Sequence, residues 1–270
     1  MTELVNMFSY HFMQRALIVG VLVSLCAALL GVALVLKRYS MIGDGLSHVG
    51  FGALAVASAL GLAPLAVAVP VVVIAAVLLL RLRRNSRVKG DAAIAIISSS
   101  ALAIGVVTVS LTTGMNTEVS SYMFGSILSL SAGDTVLSII LSVVVLAVYI
   151  AFYPRIFAVT FDEPFSRATG INTNNYNTLL AVLTAVTVVL GMRMMGALLI
   201  SSLIIFPALS AMRLCKSFKS VVICSALISV CCFVTGVIAS YFLETPTGAS
   251  IVITDLIIFG ISSLFGKNKQ

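Results

Sequence analysis

Apolar runs long enough to cross a bilayer follow one another from Arg15 almost to the C-terminus, and that succession leaves few folds open. Hydrophobic residues make up 60% of the chain and charged ones 9%. No soluble core hides that much apolar surface, so the sequence reads as a polytopic membrane protein whose backbone polar groups are satisfied inside helices. The runs predict spans at 15–36, 41–62, 64–80, 92–113, 135–152, 176–190, 194–212, 221–242 and 249–265. The expected fold is all-α, a single membrane domain over 1–270 forming a bundle of about nine transmembrane helices. An amphipathic stretch, 1–14, precedes the first run, which lacks a small-residue cleavage site and is read as a span, not a removed signal peptide. The apolar, Ser- and Gly-rich segment 119–130, at about 12 residues, is too short to span and predicts a re-entrant or interfacial helix. Gly, Ala and Ser recur through the runs, and small faces let membrane helices approach closely.

The net charge of +7 points to topology, not to nucleic acid. Lys37 and Arg38, the run from Arg81 to Lys89, Arg213, Lys216 and Lys219, and finally Lys267 and Lys269 occupy alternate gaps. The gaps around 112–119 and 244–248 hold Glu118 and Glu244 and no Lys or Arg. This positive-inside pattern places the N-terminus outside and the C-terminus in the cytoplasm. Cys26, Cys224, Cys231 and Cys232 lie inside apolar runs and Cys215 at an edge, with no CxxC spacing, so the cysteines read as packing residues.

Against this apolar background, Asp44 and His48 stand four residues apart in one run. On a helix they share a face, and an unpaired ionisable group there costs several kcal/mol to bury. Gly52 and Ala55 continue the face with almost no side chain, so the stripe is polar at one end and open at the other. Carboxylate and imidazole are zinc ligands, and a twofold dimer would double the pair to a four-ligand set. Oxygen and nitrogen donors without thiolate also suit an ion that must be released. The competing reading makes Asp44 the N-cap of its helix, with Gly43 and Gly45 shaping the turn and His48 interfacial.

Other residues invite plainer readings. Asp255 is expected to hydrogen-bond to neighbouring Thr and Ser, ahead of a ligand or proton role. Arg193 is expected near an outer helix end, snorkelling to the interface. Met192, Met194 and Met195 do not share a helical face and read as packing. Pro207 predicts a kink, and the turn holding Pro246 and Gly248 a hinge-like entry to the last run. The loop Phe161-Asp-Glu-Pro-Phe-Ser-Arg-Ala-Thr-Gly170 reads as a short helix, with acids first, Arg167 late and Gly170 as its stop. Such a helix is either a docking element or an amphipathic connector. No GxxxxGK[ST] loop occurs, so any ATP hydrolysis by that chemistry belongs to another polypeptide.

Four segments in order carry a resemblance: Ser40-Met-Ile-Gly-Asp-Gly-Leu-Ser-His-Val-Gly-Phe51, Phe161 to Gly170, Met195-Gly-Ala-Leu-Leu-Ile-Ser-Ser-Leu-Ile-Ile-Phe-Pro-Ala208, and Pro246-Thr-Gly-Ala-Ser-Ile-Val252. Together they make the chain resemble the permeases of bacterial ABC importers for zinc, manganese and iron. The resemblance implies a non-enzymatic transport subunit in the bacterial cytoplasmic (inner) membrane. It implies a homodimer, two cytoplasmic ATP-binding subunits and an extracytoplasmic metal-binding protein as partners. No permanently bound cofactor is implied; the metal is cargo. Asp44 and His48 would line its path, and the 161–170 helix, through Asp162, Glu163, Phe165, Arg167 and Gly170, would be the coupling element on the ATPase. Pro164 departs from the acidic or small residue usual there, which leaves the helix start open. Asp255 lies outside the matched pattern. Zinc is the preferred cargo, with manganese or ferrous iron as alternatives within the family. An ATP-independent transporter or channel using Asp44 and Asp255 is the alternative of another class.

Overall fold

The computed structural model describes residues 10–85, 90–112, 121–125, 131–197 and 199–266. Helices follow one another as α1 (His11–Leu36), α2 (Met41–Ala59), α3 (Pro64–Asn85), α4 (Gly90–Leu111), α5 (Ala132–Ala151), α6 (Tyr153–Phe161), α7 (Glu163–Ala168), α8 (Thr173–Met195), α9 (Ile200–Leu214), α10 (Phe218–Leu243) and α11 (Thr247–Gly266). Of the expected 119–130 helix, residues 121–124 are helical, and the rest lies outside the described residues except Gly125. Seven described helices are long and apolar enough to cross a membrane: α1, α3, α4, α5, α8, α10 and α11. The other two expected spans, α2 and α9, do not meet that measure. Asp44, His48 and four glycines dilute α2, while α9, at 15 residues, rises roughly 22 Å against about 30 Å of hydrocarbon.

Burial separates centre from rim. In α8, 83% of the most apolar window is buried, and in α1 67%, against 17% in α4 and 28% in α5 and α11. Around the central α1 and α8 stand two groups, α2–α4 on one side and α9–α11 on the other. α8 packs on α2 and α3, and α1 on α9 and α10. Neither central helix shows a distinct apolar stripe, as expected of helices enclosed by protein.

Small residues decide how closely these helices meet. On α1, Ser24 and Ala28 offer their carbonyls to α10, where the Ser229 hydroxyl donates at 3.0 Å and Ser225 at 3.4 Å. A Cβ at Gly31 would collide with the backbone carbonyl of Ile204, so α1 and α9 touch backbone to backbone there. On α2, a Cβ at Gly52 would stand 2.5 Å from the Ala101 carbonyl oxygen of α4. Gly52 and the fully buried Ala55 therefore pack closely, and Gly52 with Ala101 also borders an apolar cavity of about 250 Å³.

The break between the sixth and seventh expected spans also moves. α8 runs on to Met195 because Gly191 is a helix-interior position that makes room for Ile200. The stop is Gly196, whose φ of +89° suits glycine. Pro207 sits buried inside α9 without ending it. Gly31→Val should force α1 and α9 apart and cost about 1–3 kcal/mol or more, as overpacking does. Thermal unfolding in detergent checks this, with Gly260→Ala, where a Cβ meets open space, expected to melt no lower than the parent protein.

Candidate metal centre

Asp44 is the fourth residue of α2 and does not cap it. The cap position belongs to Ser40, whose side chain makes no capping bond. The first turn instead points the carboxylate sideways, where its Oδ2 lies 3.8 Å from His48 Nε2. Ser201, in the first turn of α9, donates its hydroxyl to Asp44 Oδ1 at 3.4 Å. Ile204 of α9 lies against both Gly43 and Gly31, which sets Asp44 roughly 8 Å inside the end of α1. The Asp44 side chain is 40% exposed and that of His48 16%, so the pair looks out of one face of the chain. His48 Nδ1 is buried and meets no hydrogen-bond partner among the described residues. Among those residues no group of three or more His, Cys, Asp or Glu converges. One chain thus supplies a carboxylate, an imidazole and a hydroxyl, and not a closed cage.

Arg193 does not snorkel. It is buried near the end of α8, where its Nη2 reaches Asp134 Oδ2 of α5 at 2.9 Å and its guanidinium lies 5.7 Å from the Tyr122 ring centroid. The Asp134 carboxylate, held in the first turn of α5, makes an interior position favourable for the cation. The Tyr122 carbonyl accepts from Ala197 N–H at 2.9 Å, and its hydroxyl lies 3.2 Å from that of Ser58. The backbone of Gly125 lies against residues 194–196 and that of Gly248 against Met195, each with no space for a Cβ. Pro246 and Gly248 thus stand at the root of α11 beside the α8 stop. Asp255, further along α11, is 1% exposed, and beside its carboxylate stands the Cys232 thiol of α10, a weak donor. The expected Thr partner fails because Thr254 donates to the Ser250 carbonyl of its own helix.

At the basic end of the bundle the 161–170 segment resolves into the end of α6, a corner at Asp162, and α7. Asp162 caps α7 by accepting from Phe165 N–H at 2.9 Å, and Pro164 fits the first turn, where no N–H is required. Gly170, at φ +86°, and Ile171 return their N–H groups to Arg167 and Ser166, closing the helix. Phe161 and Phe165 face outward at 66% and 64% exposure. Glu163 instead turns inward. Its carboxylate meets Lys37 Nζ of the α1 end at 3.2 Å, Asn177 Nδ2 of α8 at 3.2 Å and Arg167 Nη2 at 3.4 Å. Lys37 Nζ also donates to Asn177 Oδ1 at 2.7 Å. Beside this cluster opens a cavity of about 530 Å³ lined by Tyr39, Arg81, Arg167 and Asn174 among others.

Ser201, Lys37, Asn177 and Asp134 carried no site assignment in the sequence, because each acquires its partner only across the bundle. Burial lowers the Lys37 ammonium below its ordinary value, partly offset by Glu163. At Glu163 burial works to raise the carboxyl, and the Asn177 amide and Lys37 charge overcome it, leaving it below its usual 4.5. The Glu163 carboxyl is therefore ionised at neutral pH. A depressed carboxyl stabilises the fold above its unfolded value and loses that contribution as pH falls through the folded one. The melting temperature of Glu163→Gln should fall short of the parent protein by a constant margin from pH 7 to about 5, and the margin should close below pH 4.5.

The profile of the ABC 3 transport family matches residues 9–266. The zinc uptake membrane protein ZnuB of Haemophilus influenzae is 32% identical, over 96% of this chain and 99% of that protein. The manganese import permease ScaB of Streptococcus gordonii is 30% identical, over 98% and 95%. Among solved structures, PsaBC from Streptococcus pneumoniae in complex with Fab aligns at a TM-score of 0.87 and 30% identity, covering 97% of this chain and 94% of that one. A match across nearly the whole sequence, joined to a helical bundle of the same shape, places this multi-pass membrane chain in the ABC 3 transport family.

Proposed function

We propose that this chain is the permease subunit of an ABC importer carrying a divalent transition metal, zinc first, into the cytoplasm. The observation that carries the reading is the Asp44–His48 pair on the half-open face of α2, with Ser201 across from it. Two ligands about 2.0 Å from a tetrahedral zinc ion lie roughly 3.3 Å apart, so the 3.8 Å pair needs only a small side-chain adjustment to share one ion. A carboxylate 40% exposed and well inside the bundle end would face hydrocarbon in a lone chain. A second copy across a twofold axis would cover that face and bring two more ligands.

In this reading the basic end is cytoplasmic, with the N-terminus outside and the C-terminus inside. Two ATP-binding subunits seat on α7 through the outward Phe161 and Phe165, and an extracytoplasmic binding protein delivers the metal. The chain itself is no enzyme. Hydrolysis in the partner drives alternating access, while Asp44 and His48 act as transient ligands. Pro207, Pro246 and Gly248 lie where α9 and α11 would pivot. Manganese is the competing cargo, because the Ser201 hydroxyl adds an oxygen donor and manganese prefers oxygen. An ATP-independent transporter is disfavoured, since Asp255 is sealed from any path at 1% exposure.

Proteoliposomes holding this chain, its candidate ATPase and binding protein should take up zinc only with ATP. His48→Ala and Asp44→Asn should each reduce uptake by about tenfold or more, as loss of one ligand interaction does. Uptake indifferent to ATP would remove the ABC reading, and uptake abolished by competing manganese would reassign the cargo.

A further inference from the structure

We infer that Lys37 is the positioning residue that ties movement of α7 to the helix bearing Asp44 and His48. The inference rests on the permease reading above and names the link which that reading leaves open. Its basis is a three-body contact between segments far apart in sequence. Lys37 Nζ lies 3.2 Å from Glu163 Oε2 at the start of α7 and donates at 2.7 Å to Asn177 Oδ1 in the second turn of α8. Asn177 Nδ2 closes the triangle by donating to Glu163 at 3.2 Å. The Lys37 side chain is 6% exposed, and the Tyr39 ring lies 5.9 Å from its ammonium. Nothing on the outside holds this cation; protein encloses it.

The other end of the lever is the α1–α2 corner. Lys37 is the last half-turn of α1, donating its N–H to the Ala33 carbonyl. Arg38 then takes φ +57°, a conformation glycine usually fills, and its N–H returns to Val35 while that of Tyr39 returns to Leu34. Ile42 N–H bonds back to the Tyr39 carbonyl, so α2 begins directly from this closed corner. Asp44 follows two residues later. No flexible linker separates the Lys37 backbone from Asp44, and a pull on the ammonium reaches α2 through hydrogen-bonded backbone. Glu163 therefore transmits the movement of α7 inward, while Phe161 and Phe165 on the opposite side remain free to receive it.

The ion pair suits this task better than it suits stability. Burial penalises the Lys37 ammonium while the contact favours the Glu163 carboxylate, so the two effects oppose one another. What survives is geometry: a cation held by a carboxylate and an amide on separate helices moves with both.

The test compares metal ions imported per ATP hydrolysed, in proteoliposomes of the full complex given zinc, for Lys37→Met, Glu163→Gln, the neutral pair of both, and the exchanged pair Lys37→Glu with Glu163→Lys. Lys37→Met should keep ATP hydrolysis near the parent rate, and each single variant should lower the ratio by about tenfold, the scale of a lost coupling. The neutral pair, which leaves no buried charge, should fall no further than either single variant. The exchanged pair should recover part of the ratio. An unchanged ratio in the neutral pair overturns the inference, as does a neutral pair that fails to assemble, which would make the contact merely structural. Additive losses in the neutral pair overturn it too. A parent complex that imports without ATP removes the permease reading itself, and the inference with it.

Discussion

Close backbone contact at glycine is the condition on which the polar interior of this bundle depends. A charged or hydrogen-bonding side chain inside hydrocarbon needs protein on every side. Leucine-rich faces hold helices too far apart to provide it. At Gly31, Gly52, Gly125, Gly196 and Gly248 the backbones approach until a single methyl group would collide. Serine hydroxyls at 225 and 229 then reach the carbonyls of α1. The dense centre thus formed leaves lipid to the rim helices α4, α5 and α11.

α8 is held at both ends by charge. Near its start, Asn177 shares Lys37 with Glu163; near its finish, Arg193 pairs with Asp134 over the Tyr122 ring. The two anchors stand roughly 24 Å apart along the helix. Each ties α8 to an element that the apolar contacts alone would leave free to slide, α7 at one end and α5 with residues 121–125 at the other. Between them α8 packs on α2, and Met192 lies against Gly50, two residues beyond His48. The helix bearing Asp44 and His48 is therefore braced by α8 along its side and by the Lys37 corner at its root.

Much of this was legible in the residue order. Apolar runs located the long helices, and the Asp44–His48 spacing put two ligand types on one face, as the 3.8 Å separation bears out. Acids before Phe165 and a glycine at 170 announced α7 and its ends. Two readings failed for one reason: they treated a residue by its own helix alone. Arg193 was assigned to the interface because Asp134 lies far off in sequence, and Asp255 to its own Thr because Cys232 stands on another helix. The α8 stop was placed too early because Gly191 and Gly196 look alike in sequence, and only the neighbours of each tell packing from termination.

The sequence by itself determined that this chain is a membrane helix bundle, where its seven long apolar helices lie, where its basic end lies, and that an acid and an imidazole share a helical face. Those follow from local rules: hydrocarbon thickness, helical period and the cost of burying charge. Tertiary structure alone decided that Ser201 joins Asp44, that Arg193 is paired indoors, and that Glu163 turns toward Lys37 while Phe161 and Phe165 turn away. These are contacts between helices, and their geometry is set by how closely small residues let the backbones approach, a quantity no single segment encodes.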